Sequence, residues 1–464
     1  MREFGTPSSG GAALDAVRMA SDPLSVTPEG MLAIDGHRTD DLVAEFGSPL
    51  NVVSDATLRA NYRRIRAAFA AAWPGPSHIL YSIKANSTLA VRTILSQEGA
   101  GGDCFGLGEL QATLLSGADP ALVAMNGSDK TADEVAAAVA AGVVINVDGA
   151  DELAFIAKAC RSGRRARVNL RLKILPPDLD RFVDPLHPVA GGFVDGVRRA
   201  KWGHTLDVAA TLLRALQAMP CVDLLGLTSH IGHLSHRTEA FAAVARGVAE
   251  AAGSLHGATG FVPSVLDLGG GWAPERDPSF RRAGRWGPPI EAVAQTVASA
   301  LQTSLPPALG RPALWLEPGR FIVGNAVVLL ARTGSVKRDA GHCWMHVDAS
   351  TNNLPRIESG HFHYTILPAN RMHDPADETV DVVGGTCFRS VLGSQREMPA
   401  PRRSDLIAIL DAGMYAEVFA TQFNSVPRPA TVLVSPHGVD VVRMRETIED
   451  VFRQQRVPAW LGAA

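Results

Sequence analysis

An α/β fold, with a (β/α)8 barrel followed by a mostly β domain, is predicted by three features of this sequence. From Met31 to about Ala300, short apolar runs alternate with longer Ala/Leu-rich segments of helical spacing, the order expected of βα units around a parallel sheet. Reactive polar residues stand where those apolar runs end, as they do on the catalytic face of a barrel. Beyond Gly324 the helical spacing fades and β-branched runs take over.

In chain order, the first 26 residues, rich in Gly, Ser, Ala and Pro, are expected to be a poorly ordered extension. Residues 27–50 are expected to lend a strand to the β domain, 51–325 to form the barrel and 326–464 the β domain. Barrel strands are predicted in HILYSIK, ALVAMNG, GVVINVD, RVNLRLKI, LLGLTSHIG, SVLDLGGG and ALWLEPG. Helices are predicted over Asp55 to Ala72, Leu107 to Leu115, Ala132 to Ala141, Ala150 to Ala159, Val208 to Gln217, Thr238 to Leu255 and Ile290 to Leu301. Seven or eight such units match the size of a barrel, with an open doubly wound sheet as the competing architecture. In the β domain, NAVVLLARTGSVK, CWMHVDAS, TVDVVGG, DLIAILDAG and ATVLVSPHGVDVVR read as strands.

Composition narrows the function. The 464 residues are 46% hydrophobic with a formal net charge of -3. That is enough apolar matter for a large core, with no field that would gather nucleic acid or an anionic membrane. No apolar run reaches the ~18 to 20 residues of a membrane span, and no basic, apolar leader opens the chain. A cytoplasmic protein acting on a small molecule is the expectation. The five cysteines, Cys104, Cys160, Cys221, Cys343 and Cys387, are odd in number and form no CxxC pair, against a disulfide framework or zinc site.

Four strand ends carry candidate chemistry. Lys84 closes HILYSIK, where desolvation would free its amine for attack on a carbonyl; the alternative is a lysine reaching to the rim. Gly269, Gly270 and Gly271 follow a strand and offer backbone amides to a phosphate, or form a tight turn. Glu317 and Arg320, three apart, suit a protonated ring nitrogen and an oxyanion, or a structural ion pair. Ser229, His230 and His233 cluster after LLGLT; His230 offers a flat face, and no third ligand at a recognised spacing supports a metal. An amine for an aldehyde, an acid for a pyridine nitrogen, glycines and an arginine for a phosphate, and a ring for stacking are the needs of pyridoxal 5'-phosphate (PLP).

As a set, YSIKAN, GGDCFGLGEL, INVDGADEL, HIGH, DLGGGW, EPGR, GGTC and DAGMYAEVFATQFNSVPRPATVLV resemble the barrel-type PLP decarboxylases of diaminopimelate, ornithine and arginine. Diaminopimelate decarboxylases look most similar, from about Phe46 to Trp460. The resemblance implies a TIM-like barrel with a C-terminal β domain, as in alanine racemase and ornithine decarboxylase. It implies that Lys84 carries the cofactor, His230 stacks on its ring and Glu317 pairs with its nitrogen. It further implies phosphate contacts from Gly270, Gly271, Gly319, Arg320 and Tyr415, with Asp103 and Glu109 near the cofactor. Cys387 would serve reprotonation across the interface of a homodimer with shared active sites.

The sequence departs from this family where the far end of the substrate is held. Diamine-forming relatives follow the cysteine with an acid; here Cys387 is followed by Phe388 and Arg389, and Gly360 stands where a tyrosine is expected. Arg356 can still grip a carboxylate, and His233 replaces a small serine. The expectation is α-decarboxylation of an amino acid whose distal group is uncharged or anionic, conjugated or carrier-bound, in specialised siderophore or antibiotic biosynthesis. Arg320, Arg356, Phe388 and Arg389 would be the substrate contacts. The alternatives are ordinary diaminopimelate or ornithine decarboxylation, with Glu358 or Glu417 replacing the missing acid; an amino-acid racemase, which Glu317 opposes; and a non-catalytic PLP-binding protein.

Overall fold

The computed structural model describes residues 9–182, 192–230, 232, 237–279, 286–360 and 362–462. They divide into two compact units, Thr57–Gly324 and the described residues on either side of that span.

Within Thr57–Gly324, eight parallel strands close into a barrel in chain order: Ser77–Ser82, Gly101–Phe105, Val123–Asn126, Val144–Val147, Ala166–Leu172, Val222–Ser229, Val265–Asp267 and Ala313–Leu316. Closure is made by the eighth strand on the first, with Leu314 opposite Ser77. The strands are nearly all buried, the pattern of a parallel sheet covered on both faces. Among the covering helices are Asp55–Ala72, Thr238–Thr259 and Ile290–Ser304. Thr238–Thr259 turns Ala240, Phe241, Val244, Val248, Ala252 and Leu255 inward and stops at Gly260, whose φ of 72° suits glycine.

Because side chains alternate along a strand, the barrel interior is layered. Leu80, Ala124, Val144, Val265 and Trp315 pack together as an apolar layer. Two residues further along the same strands or their ends come Ser82, Asn126, Asn146, Asp267 and Glu317, all buried. A polar layer thus sits at the carboxyl ends of the strands, where a barrel builds its site.

The second strand is not among those predicted. GGDCF offers little β propensity, but a Cβ at Gly101 would overlap the Leu122 carbonyl, so close strand packing requires glycine there. Helix Leu89–Gln97 was also missed, since Arg92 lies fully buried on its inner side and breaks the apolar spacing.

In the other unit, Leu50–Ser54 pairs with both Val327–Asp339 and Ala430–Ser435 in a nine-stranded sheet. Two of its strands, Ile366–Leu367 and Val391–Met398, do not read as strands in the sequence. The expectation of a poorly ordered N-terminal extension is corrected for its described part. Gly10–Val17 is a helix whose Ser9 cap accepts from the Ala12 amide. Leu14, Val17, Leu24 and Leu32 join one buried cluster, and that burial outweighs the two glycines that open the helix. Among the described residues, no helix is long and apolar enough to cross a membrane.

Candidate active site

Lys84 stands just past the first strand, on the single 3-10 turn Ile83–Ala85. A Cβ on Gly319 would lie 2.7 Å from the Ala85 Cβ, so glycine lets the segment after the eighth strand close on this turn. The lysine Nζ donates to Ser82 Oγ at 2.7 Å and is ion-paired with Asp103. Where desolvation was expected to free this amine, a buried carboxylate holds it. The lysine side chain is 32% exposed, toward a cavity of about 630 Å³ that Phe105, Asn126, Arg171, Trp202, His230 and Glu317 help to line.

Further acids lie close to Lys84 and Glu317 of the cavity lining. Asp103 accepts from Ser82 Oγ and, at 2.8 Å, from Asn126 Nδ2. Burial, the largest single influence, would raise its pKa, but the charge of Lys84 together with the hydrogen bonds from Lys84, Ser82 and Asn126 leaves the carboxyl below its usual range. Glu317 is 2% exposed and accepts from Asn126 Nδ2 at 2.8 Å. Burial first, then the charges of Asp103 and Asp267, push its pKa well above the carboxylate norm. Asp267 accepts from the Gly269 amide at 2.8 Å, and burial raises it to about 7. Glu109, accepting from the Phe105 amide at 2.7 Å, is likewise raised by burial to about 7.

His230 Nδ1 accepts from the Gly270 amide at 2.7 Å and lies 3.8 Å from Glu317 Oε2. Accepting at Nδ1 leaves the proton on Nε2 of a neutral ring. Burial and the nearby Lys84 charge push its pKa down to about 3. The Gly270 amide, expected to face a phosphate, is thus directed at His230. Arg320 is engaged by Asp277 at 3.1 Å and Ser279 Oγ at 3.4 Å. Gly271 follows with φ 95°. His233 lies outside the described residues.

The remaining expected residues belong to the other unit. Arg356 lies 4.6 Å from the Phe362 ring centroid and 5.5 and 5.9 Å from those of Tyr415 and Phe419, a cation among aromatic faces. Cys387 is exposed, its amide donating to Asn424 Oδ1 at 2.9 Å. Phe388, 51% exposed, meets Phe423 edge-on at 6.1 Å, and Arg389 is exposed. Glu417 pairs with Arg443 at 2.6 Å, while Glu358 is exposed.

Sequence reading missed Asn126, Asn146, Asn169, Asp267 and Arg171. Four of them end or follow the run AMN, VIN, VLD or VNL with a polar group two residues beyond an inward apolar or basic one, and that period-two signal identifies them. Arg171 shares the signal from Asn169 and approaches Asp148 at 3.4 Å.

Residues 55–324 match the family model described as the pyridoxal binding domain of pyridoxal-dependent decarboxylases. The chain belongs to the pyridoxal-dependent decarboxylases, and its cofactor is PLP. Among its relatives, a diaminopimelate decarboxylase of Methanothermobacter thermautotrophicus is 33% identical over 449 residues, 94% of this chain and 98% of that one. A diaminopimelate decarboxylase of Archaeoglobus fulgidus is 32% identical, over 94% and 99%. The crystal structure of a diaminopimelate decarboxylase from M. jannaschii, in complex with L-lysine, superposes with a TM-score of 0.86 at 26% identity, covering 96% of this chain and 100% of that one.

The residues present suit the cofactor. A buried Glu317 that resists ionisation among other acids is the partner a protonated pyridine nitrogen needs, since a cation there would stabilise its anion. Lys84 brings an amine to the same cavity, and neutral His230 offers a ring. PLP, when bound, supplies an electrophilic carbonyl and a protonated ring that accepts the electron pair left at Cα as CO2 departs.

Proposed function

We propose that this enzyme removes the α-carboxylate of an amino acid whose side chain ends in an uncharged or anionic group, such as an acylated or carrier-borne diamino acid. The supporting observation is the cation and ring at Phe388 and Arg389, directly after Cys387, where a distal ammonium would need an acid. Of the two acids that could substitute, Glu417 is committed to Arg443 and Glu358 is exposed. Leaving a buried ammonium without its anion costs several kcal/mol, on the order of 3 to 5.

In this reading Lys84 is the amine that holds the cofactor, with Ser82 and Asp103 orienting its Nζ. Glu317, whose ionisation a protonated ring nitrogen would favour, is assigned to that nitrogen, and neutral His230 to the face of the ring. Arg320, with Gly270, Gly271, Gly319 and Tyr415, is assigned to the phosphate, and Arg356 to a substrate carboxylate. Cys387 of a second copy is assigned to proton delivery at Cα, making the active unit a homodimer.

Recording CO2 release by the holoenzyme from meso-diaminopimelate, lysine, ornithine and their side-chain-acylated forms tests the proposal. The acylated forms should give a kcat/KM at least about tenfold higher. Efficient turnover of a free diamino acid, unchanged in Arg389→Ala, would return the chain to diaminopimelate or ornithine decarboxylation, the activity its relatives' names carry.

A further inference from the structure

Asn126 ends the third barrel strand, 4% exposed, between the two acids nearest Lys84. Its Nδ2 donates to Asp103 Oδ1 at 2.8 Å and to Glu317 Oε1 at 2.8 Å. Both amide protons are therefore used, each on a different carboxyl group. Its Oδ1 accepts from Asn146 Nδ2 at 3.0 Å, and Asn146 Oδ1 accepts from Asn169 Nδ2 at 3.0 Å. The ladder spans three neighbouring strands. It ends at Asn169 Oδ1, which has no hydrogen-bond partner among the described residues. All three amides point their donors the same way, toward the acids, and each bond polarises the next.

The arrangement addresses a conflict. Two buried carboxyl groups in one site tend to share a single proton, which raises the pKa of one of them. Glu317 is flanked by Asp103 and by Asp267, whose carboxylate is also buried. A protonated Glu317 could not hold a proton on a ring nitrogen opposite it. A donor to each acid favours both anions and separates their roles, Asp103 for Lys84 and Glu317 for the ring.

We propose that Asn126, backed by Asn146 and Asn169, is a positioning residue that favours the ionised form of Glu317 opposite the ring nitrogen by dividing its two amide protons between Glu317 and Asp103. The proposal rests on assigning Glu317 to the ring nitrogen. No bond is made or broken at Asn126; what it governs is whether the shared proton resides on Glu317 or on the nitrogen.

The test compares wild type with Asn126→Leu, which keeps volume and removes both donors, Asn126→Ser, which keeps one, and Glu317→Gln. Three quantities are read: the pH titration of the visible absorbance of the PLP holoenzyme, kcat and KM for the amino acid giving most CO2, and the urea midpoint of the cofactor-free protein. In Asn126→Leu the pH midpoint should move in the same direction as in Glu317→Gln. Its kcat should fall about 10- to 100-fold, the factor for one charge-assisted hydrogen bond, with KM changed less than about threefold. Asn126→Ser should lie between, and it decides the matter by the same readings if Asn126→Leu does not fold. A lowered urea midpoint with a wild-type pH midpoint and kcat would assign Asn126 to stability alone and overturn the proposal. If Glu317→Gln itself leaves the titration unmoved, the Glu317 assignment fails and the proposal with it; a shift in Glu317→Gln alone overturns only the role of Asn126.

Discussion

Lys130 and Glu152 form an ion pair at 2.9 Å with both side chains 2% exposed. Lys130 Nζ also donates to the Gly127 carbonyl at 2.7 Å, and Glu152 Oε1 accepts from the Asp148 amide at 3.1 Å. Burial lowers the pKa of the lysine and raises that of the glutamate despite their mutual attraction. Desolvation therefore dominates at both ends, and the pair is an expensive way to satisfy the loop after the third strand. Removing one partner strands a buried charge, at a cost of about 3 to 5 kcal/mol. Glu152→Met and Lys130→Met should each lose that much. For a barrel of this size the loss corresponds to a fall in Tm on the order of 10 °C. The double variant Lys130→Met/Glu152→Met removes both charges and should be more stable than either single variant by at least ~1 kcal/mol. The two backbone groups it leaves unpaired keep it from full recovery. Urea unfolding of the cofactor-free proteins, arranged as a double-mutant cycle, measures the coupling. Single losses under ~1 kcal/mol, or a double variant below both singles, would refute the reasoning.

Two further outcomes follow from the same structure. Glu109, raised by burial to about 7 from an ordinary 4.5, keeps its proton in the fold while the unfolded chain ionises; its stabilising contribution is full below pH 4.5 and is lost as pH rises through 7. Glu109→Gln should thus gain stability relative to wild type between pH 4.5 and 8, by roughly 2 kcal/mol once partial exposure is allowed for; a difference in urea midpoint that does not vary with pH would contradict it. If Cys387 serves the site of a second copy, mixing inactive Lys84→Ala with severely impaired Cys387→Ala should restore part of the activity in hybrids with one intact site, and no recovery after demonstrated subunit exchange would confine the site to one chain.

Much of the barrel was legible because seven of its strands are apolar runs bounded by Gly, Pro or polar residues. The remaining strand, GGDCF, was hidden for a physical reason: close packing at Gly101 demands glycine, and Asp103 is turned inside toward Lys84, so neither residue advertises a strand. The polar layer was half legible. Lys84, Glu317 and His230 announce themselves as charged or aromatic groups after apolar runs, whereas Asn126, Asn146 and Asn169 look like ordinary strand-end amides until their side chains are seen to join across neighbouring strands. The internal commitments of Gly270 to His230 and Arg320 to Asp277 could not be read from spacing, since each depends on segments that meet only in the folded barrel. Helix Gly10–Val17 escaped notice because its stability lies in Leu14 and Val17 packing against distant strands and not in its own composition.

Identifying the lysine that carries the cofactor tests the account most directly. Lys84, Lys130, Lys173 and Lys201 all line the same cavity, so borohydride reduction of the holoenzyme, proteolysis and mass spectrometry can tell them apart. The account predicts the reduced cofactor on the peptide containing Tyr81, Ser82, Ile83 and Lys84, and its loss in Lys84→Ala. Cofactor fixed to Lys130, Lys173 or Lys201 in the wild-type protein would contradict it.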